Sequence, residues 1–202
     1  MNREIGKENT SCREDRELVE AFQANREGVF DKLVLKYKDK VFNLCYRFLG
    51  DYEEANDCAQ EVFVKLYRSL KKFQQKSSFS TWLYRITVNT CKNKLASSEY
   101  RLRKKMVRLD NPIHSEKGTY RIEIEDETLS PATQLDRKEK EMLIQNAIGS
   151  LPEEQKMVVL LRDVEGFSYE KITVITGYNI GTVKSKLARA RQKLREKLRG
   201  LI

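Results

Sequence analysis

The chain has 202 residues, 40% of them hydrophobic and 34% charged, with 39 Lys and Arg against 30 Asp and Glu for a net charge of +9. That length allows one domain or two small ones, and that hydrophobic share supports packed cores, which excludes a disordered or fibrous chain. No apolar run approaches the ~20 residues a membrane span needs, and the opening MNREIGKENTSCRE carries no apolar signal core, so a cytoplasmic protein is expected.

With three Pro, nine Gly and apolar residues recurring every three or four positions, the chain reads as all-α, without an internal repeat. The four cysteines, Cys12, Cys45, Cys58 and Cys91, form no CxxC pair, which argues against a zinc site or a disulfide framework. Cys45 and Cys58 fall on apolar stripes and read as small core residues. His114 stands alone in a polar stretch. With no Ser/His/Asp arrangement, no phosphate-cradling Gly loop and no metal-ligand cluster in the motifs, neither catalysis nor a cofactor is expected.

In chain order, Ser11-x-x-Glu14 reads as a capping box that opens a short helix through about Ala24. A second helix is expected from near Glu27 to Gly50, with Phe30, Leu33, Val34, Tyr37, Val41, Leu44, Cys45 and Phe48 on its apolar face. Asp51-x-x-Glu54 opens a third, whose buried stripe is Ala55, Cys58, Ala59, Val62, Leu66, Leu70 and Phe73. Asp57, Gln60, Glu61 and Lys65 then point the other way.

After the polar loop KKFQQKSS, FSTWLYRI begins a further helix to roughly Leu95, with Leu83, Ile86 and Thr90 toward the core. Trp82, Tyr84, Arg85, Asn89, Lys92 and Asn93 fall on other faces. Exposed rings interleaved with cations suit stacking of unpaired bases, but on the residues alone Phe79 and Trp82 read rather as core. From Arg101 to Gln134 the periodicity fails: a basic run is followed by Asp110 to Glu127, six acids against Lys117 and Arg121. Tyr120, Ile122 and Ile124 alternate as a strand would but have nothing to pair with, so an extended linker is expected.

The second block begins near Pro131, with an amphipathic helix from Leu135 to Ile148. Ser150-x-x-Glu153 reads as the cap of the next, with Pro152 in its first turn and Gly166 past its end. Ser168 caps a short helix that Gly177 ends. Then comes GTVKSKLARARQKLREKLRG, eight Lys or Arg against one Glu, with Val183, Leu187, Ala190, Leu194 and Leu198 on one face. Helix, Gly-containing turn and basic helix make a helix-turn-helix pattern, in which repulsion among the cations is relieved by DNA phosphates. A plain helical hairpin with a solvated charged face is the alternative reading of the same residues.

The first block, in YRFLGDYEEANDCAQEVFVKLYRSLKKF and FSTWLYRITVNTCKNKL, resembles region two of bacterial RNA polymerase sigma factors of the extracytoplasmic-function (ECF) group, of the RpoE-like kind. The second, in LPEEQKMVVLLRDVEGFSYEKI and GTVKSKLARARQKL, resembles their region four. The resemblance implies two small helical domains, residues 1–100 and 135–202, joined by a flexible linker at 101–134. It implies a dissociable, stress-responsive specificity subunit that binds core RNA polymerase, brings it to promoter DNA, and is held by a cognate anti-sigma factor.

Residue by residue, the resemblance implies polymerase docking through Asp57, Gln60 and Glu61. It implies capture of a flipped minus-ten base by Phe73, Ser78, Phe79, Trp82 and Asn89, with Lys92 and Asn93 beside them. Thr182, Lys184, Ser185, Lys186, Arg189 and Arg191 are implied at the minus-thirty-five element, where Lys and Arg suit guanine acceptors and phosphate oxygens. Three departures stand out: Asn56 where relatives usually carry Glu, ITVITG in the first helix of the region-four motif, and Ala188 where a larger side chain is common. The linker in relatives threads toward the active centre, and the acidic Asp110 to Glu127 segment fits such a path. Two rivals compete on the residues alone: an autonomous helix-turn-helix regulator, which would bind duplex DNA without polymerase, and a protein-interaction module, which would bind no specific DNA.

Overall fold

The computed structural model describes residues 2–98, 100 and 131–199, with side chains from residue 11 in the first stretch and from residue 139 in the last. The described residues hold helices and no strand. The expected extended segment at Tyr120, Ile122 and Ile124 lies outside them.

The first block is four helices: α1 (Asn2–Gln23), α2 (Val29–Leu49), α3 (Tyr52–Leu70) and α4 (Phe79–Ala96). Their ends follow local chemistry. Asp51 accepts the Glu54 N–H at 2.9 Å and caps α3, while Gly50 closes α2 at φ 79, a left-handed geometry that a Cβ would penalise. Ser78 caps α4 by accepting the Thr81 N–H at 3.2 Å. The apolar stripes of α2, α3 and α4 meet in one core built on Leu33, Leu44, Phe48, Val62, Leu66, Leu70 and Leu83. Each such side chain, fully withdrawn from water, contributes about 1.5–3 kcal/mol.

One expectation fails at the N-terminus. Helix α1 starts at Asn2, not at Ser11. Residues 2–10 contain no Pro, and a helix already running through Ser11 leaves no orphan N–H there for a capping box to satisfy. The first block gains a buried polar anchor from α1: Asp15, 3% exposed, accepts from Tyr37 Oη at 2.5 Å and pairs with Lys36 Nζ at 2.8 Å.

The second block comprises α5 (Pro131–Gly149), α6 (Glu153–Val159) running into a π-helical turn (Leu160–Val164), α7 (Tyr169–Thr176) and α8 (Ile180–Leu198). Helix α5 begins four residues ahead of the expected Leu135. At α6 the cap differs from expectation: Pro152 occupies the N-cap without a side-chain bond, and Ser150 turns back, its Oγ donating to Ala147 O at 2.6 Å. Ser168 does cap α7 through Lys171 N–H at 3.2 Å, and Gly177 ends it at φ 76. Val183, Leu187 and Ala190 of α8 are buried, and α8 packs on α5, α6 and α7.

The blocks also pack on each other, α7 against α4 and α5 against α2. Tyr84, read from the sequence as facing outward, is 4% exposed, its ring meeting Phe167 edge-on at 4.7 Å. Its Oη donates to Glu165 Oε2. The buried Lys156 ammonium donates to Phe48 O at 3.2 Å, and Gln145 Nε2 reaches Arg47 O at 3.4 Å.

Candidate nucleic-acid and partner interfaces

Helix α3 buries one stripe and presents the opposite one. Asp57, Gln60 and Glu61 are all exposed on it, with Glu61 paired to Lys65 at 2.7 Å across one helical turn. Such an exposed pair is worth little in stability, so it leaves the carboxylate available to a partner. Continuing along the same face, Phe63, Val64, Tyr67 and Arg68 line a shallow groove of ≈ 400 Å³ with Phe30 of α2. Tyr67 is 56% exposed while its ring packs edge-on against Phe30 at 5.0 Å and Phe22 at 5.6 Å. The sequence reading missed this groove. Positions 60, 63, 64 and 67 recur at helical spacing beside the acidic face, and that spacing was the available signal.

The loop after α3 and the start of α4 gather three aromatic rings. Phe73 stacks on Trp82 at 4.4 Å and 23°, both half-buried. Phe79 lies beneath them, 3% exposed, 6.4 Å from Phe73, 6.3 Å from Trp82 and 5.4 Å from Tyr37. It is a core residue that positions the other two, and a ring so covered offers no free face here. Ser78, through its cap and a 2.7 Å contact between its Oγ and Thr81 Oγ1, fixes the start of α4. Asn89 and Asn93, one turn apart, are exposed. Lys92 is half-buried, with Nζ 6.0 Å from the Tyr178 ring of the second block.

The helix-turn-helix is α7, a short turn and α8. Asn179 caps α8 by accepting the Thr182 N–H at 2.8 Å, and Ser185 Oγ donates to Thr182 O at 3.0 Å. These bonds keep two of the sequence-predicted residues at the helix start, where a recognition helix meets base edges. Lys184 and Arg189 are exposed, Lys184 lying 5.8 Å from the Tyr169 ring.

Two of the predicted cations are already engaged. Lys186 pairs with Glu154 of α6, and the Tyr178 hydroxyl donates to the same carboxylate at 3.2 Å. The Lys186 hydrogen bond, then that of Tyr178, holds the Glu154 carboxyl below its ordinary value. Arg191 grips Asp163 with both arms, Nη2 to Oδ1 at 2.5 Å and Nε to Oδ2 at 3.1 Å. Phosphate contact by either side chain therefore exchanges an internal partner for an external one.

Fully buried, Cys45, Cys58 and Cys91 converge from α2, α3 and α4. The sequence reading left Cys91 unplaced and gave no sign that the three would meet.

The sigma-70 region 2 family matches residues 33–100, and the sigma-70 region 4 family matches residues 141–194. The chain is 39% identical over 189 residues to the RNA polymerase sigma-H factor of Pseudomonas aeruginosa, covering 94% of this chain and 96% of that one. It is 35% identical to the ECF RNA polymerase sigma-E factor of Haemophilus influenzae, over 93% of this chain and 97% of that one. Among solved structures, the fold is similar to the sigma factor RpoE in complex with the anti-sigma factor NepR from Bartonella quintana, with a TM-score of 0.58, 23% identity, and coverage of 85% of this chain and 97% of that one.

Proposed function

The chain belongs to the sigma-70 family, in its ECF group, and from that membership we propose how its surfaces direct promoter-specific initiation. It is an alternative sigma factor that docks on core RNA polymerase in the cytoplasm, selects promoter DNA, and leaves the chemistry of RNA synthesis to the enzyme it binds. A cognate anti-sigma factor holds it until a stress signal arrives, as a partner of that kind accompanies the Bartonella quintana sigma factor.

The observation that carries this reading is the order of two matches in one chain, region two at 33–100 and region four at 141–194. An autonomous regulator would need the second match alone. Residues 1–100 form the domain for docking and minus-ten recognition, 135–202 that for the minus-thirty-five element, and 101–134 the tether between them. Asp57, Gln60 and Glu61 meet the polymerase, and the apolar groove beside them, with Val64 and Tyr67, supplies the anchor that an acidic face alone lacks.

At the minus-ten element, Phe73 and Trp82 supply ring faces, Phe79 and Ser78 hold them in place, and Asn89, Lys92 and Asn93 meet the base edge and backbone. Extruding a base costs a few kcal/mol, offset by stacking at about 1–3 kcal/mol per base. Thr182, Lys184, Ser185, Lys186, Arg189 and Arg191 meet the upstream element. The two elements stand about 25 base pairs apart by name, roughly 85 Å at 3.4 Å per pair. The contacts through Tyr84 and Lys156 must therefore open before one chain reaches both.

Transcription from a promoter fragment by purified core polymerase tests this reading, with the protein and with its Asp57→Ala/Gln60→Ala/Glu61→Ala variant. Specific initiation that needs the protein and fails with the variant supports it. Tight binding of the isolated protein to duplex DNA without initiation would replace it with an autonomous regulator.

A further inference from the structure

Cys45, Cys58 and Cys91 stand on three different helices, yet their sulfurs lie within 4.8 Å of one another. Cys58 Sγ and Cys91 Sγ are 3.7 Å apart, as are Cys91 Sγ and Cys45 Sγ. All three residues are fully buried and none forms a disulfide. An ion bound to thiolates at ~2.3 Å with near-tetrahedral angles sets its sulfurs roughly 3.8 Å apart. Two of the three sulfur pairs thus already have the spacing of a coordinated set, and the third lies within 4.8 Å.

The surroundings choose among thiophilic ions. No fourth Cys, His, Asp or Glu joins the group among the described residues, so the site suits a three-coordinate ion. Three thiolates carry three negative charges into a hydrophobic core. A monovalent ion leaves two of them unbalanced and a divalent ion leaves one, each at a cost of several kcal/mol in a low-dielectric interior. A trivalent ion leaves none.

We propose that the region-two core contains a three-cysteine site, Cys45, Cys58 and Cys91, for a trivalent thiophilic metalloid delivered as its neutral trihydroxide. With arsenous acid, three As–O bonds are replaced by three As–S bonds: As(OH)3 and three cysteine thiols give As(S-Cys)3 and three waters. Each thiol proton leaves with a hydroxide, and no oxidant or reductant takes part. The neutral reactant crosses apolar packing more readily than a charged ion. Because the sulfurs are sealed from solvent, uptake waits for α2, α3 and α4 to part transiently. Once bound, the ion ties together the helix that carries the docking face and the helix that carries the minus-ten surface.

The probe is arsenite, added to the full-length chain carrying Cys12→Ser so that the exposed thiol is silent. One arsenic per chain by native mass spectrometry is expected, with loss of three titratable thiols after denaturation, a near-ultraviolet sulfur-to-arsenic band, and a raised Tm. Cys45→Ala, Cys58→Ala and Cys91→Ala should each weaken uptake at least 100-fold. If a variant fails to fold, the thiol count and band of the Cys12→Ser protein still decide. No uptake at millimolar arsenite, or uptake that consumes fewer than three thiols, overturns the site. Tighter binding of Zn(II) or Cu(I) than of arsenite overturns the trivalent assignment.

Discussion

Tyr84 of α4 donates its hydroxyl proton to Glu165, eighty-one residues away in the second block, and Phe167 covers its ring. Two residues thereby join the surface proposed for the minus-ten element to the domain proposed for the upstream element. Tyr84→Phe keeps the ring contact and removes one hydrogen bond, worth about 1 kcal/mol. The ratio of closed to open arrangement should fall about five-fold, seen by small-angle scattering or by fluorescence transfer between probes on α3 and α8.

The same contact has a pH dependence. Burial raises the Glu165 carboxyl above its ordinary value of 4.5, against the opposing pull of the Tyr84 hydrogen bond and of Lys40 and Arg47. A group raised in the closed state favours that state fully below its ordinary value and loses the contribution as pH rises through the raised one. Acidification from neutrality toward pH 5 should compact the chain, and Glu165→Gln should flatten that response. Compaction that persists unchanged in the Gln variant assigns the effect elsewhere.

Docking on polymerase should depend on both parts of the α3 surface. The Asp57→Ala/Gln60→Ala/Glu61→Ala variant is expected to slow association at low salt, and Tyr67→Ala to speed dissociation by roughly ten-fold. The three polar side chains are exposed, so each of those substitutions should change stability by no more than about 0.5 kcal/mol, whereas Tyr67→Ala gives up its edge-on contacts with Phe22 and Phe30 and should cost about 1–3 kcal/mol. Surface plasmon resonance against core polymerase, paired with a melting curve, separates the two effects.

On DNA, Arg189→Ala should reduce the salt dependence of binding by about one unit of slope. Glu154→Gln and Asp163→Asn act in reverse: they free Lys186 and Arg191 from their internal partners and should tighten binding, by less than about 1 kcal/mol each since the pairs are exposed. Weaker binding by either variant would mean that the pairs pre-orient the cations. Fluorescence anisotropy on an upstream-element duplex from 50 to 300 mM salt distinguishes these outcomes.

Two stability tests probe the fold itself. Leu66→Ala removes a fully buried α3 side chain and should cost about 2–5 kcal/mol by urea unfolding. Gly177→Ala meets no atom within 4 Å but sits at φ 76, so its cost, about 1–2 kcal/mol, comes from backbone geometry alone. DNA binding should weaken in parallel if that turn sets the angle between α7 and α8.

Sequence by itself determined the helices and most of their ends. Apolar spacing marked the buried stripes of α2, α3 and α8, and Asp51, Ser168, Gly50 and Gly177 stopped or started helices where their side chains or lack of one required it, because capping and amphipathicity act over three or four residues. The motifs identified the family, and the exposed face of α3 followed from the stripe opposite it. Ser11 and Ser150 misled for the same local reason: a capping pattern names a possible helix start, and the backbone uses it only where the preceding residues leave N–H groups unmatched.

Tertiary structure alone decided which faces meet. A hydrophobic period shows that one side of a helix is buried and leaves open what buries it, so Tyr84 read as outward until the second block covered it. Phe79, for which a core place was already legible, is packed within its own block by Tyr37, Phe73 and Trp82. Lys186 and Arg191 are indistinguishable from Arg189 in a list of cations, and only the position of Glu154 and Asp163 across the fold sets them apart. Cys45, Cys58 and Cys91 share no motif because their ligand-like spacing is made by three helices packing at one level, a distance in space that no interval along the chain encodes.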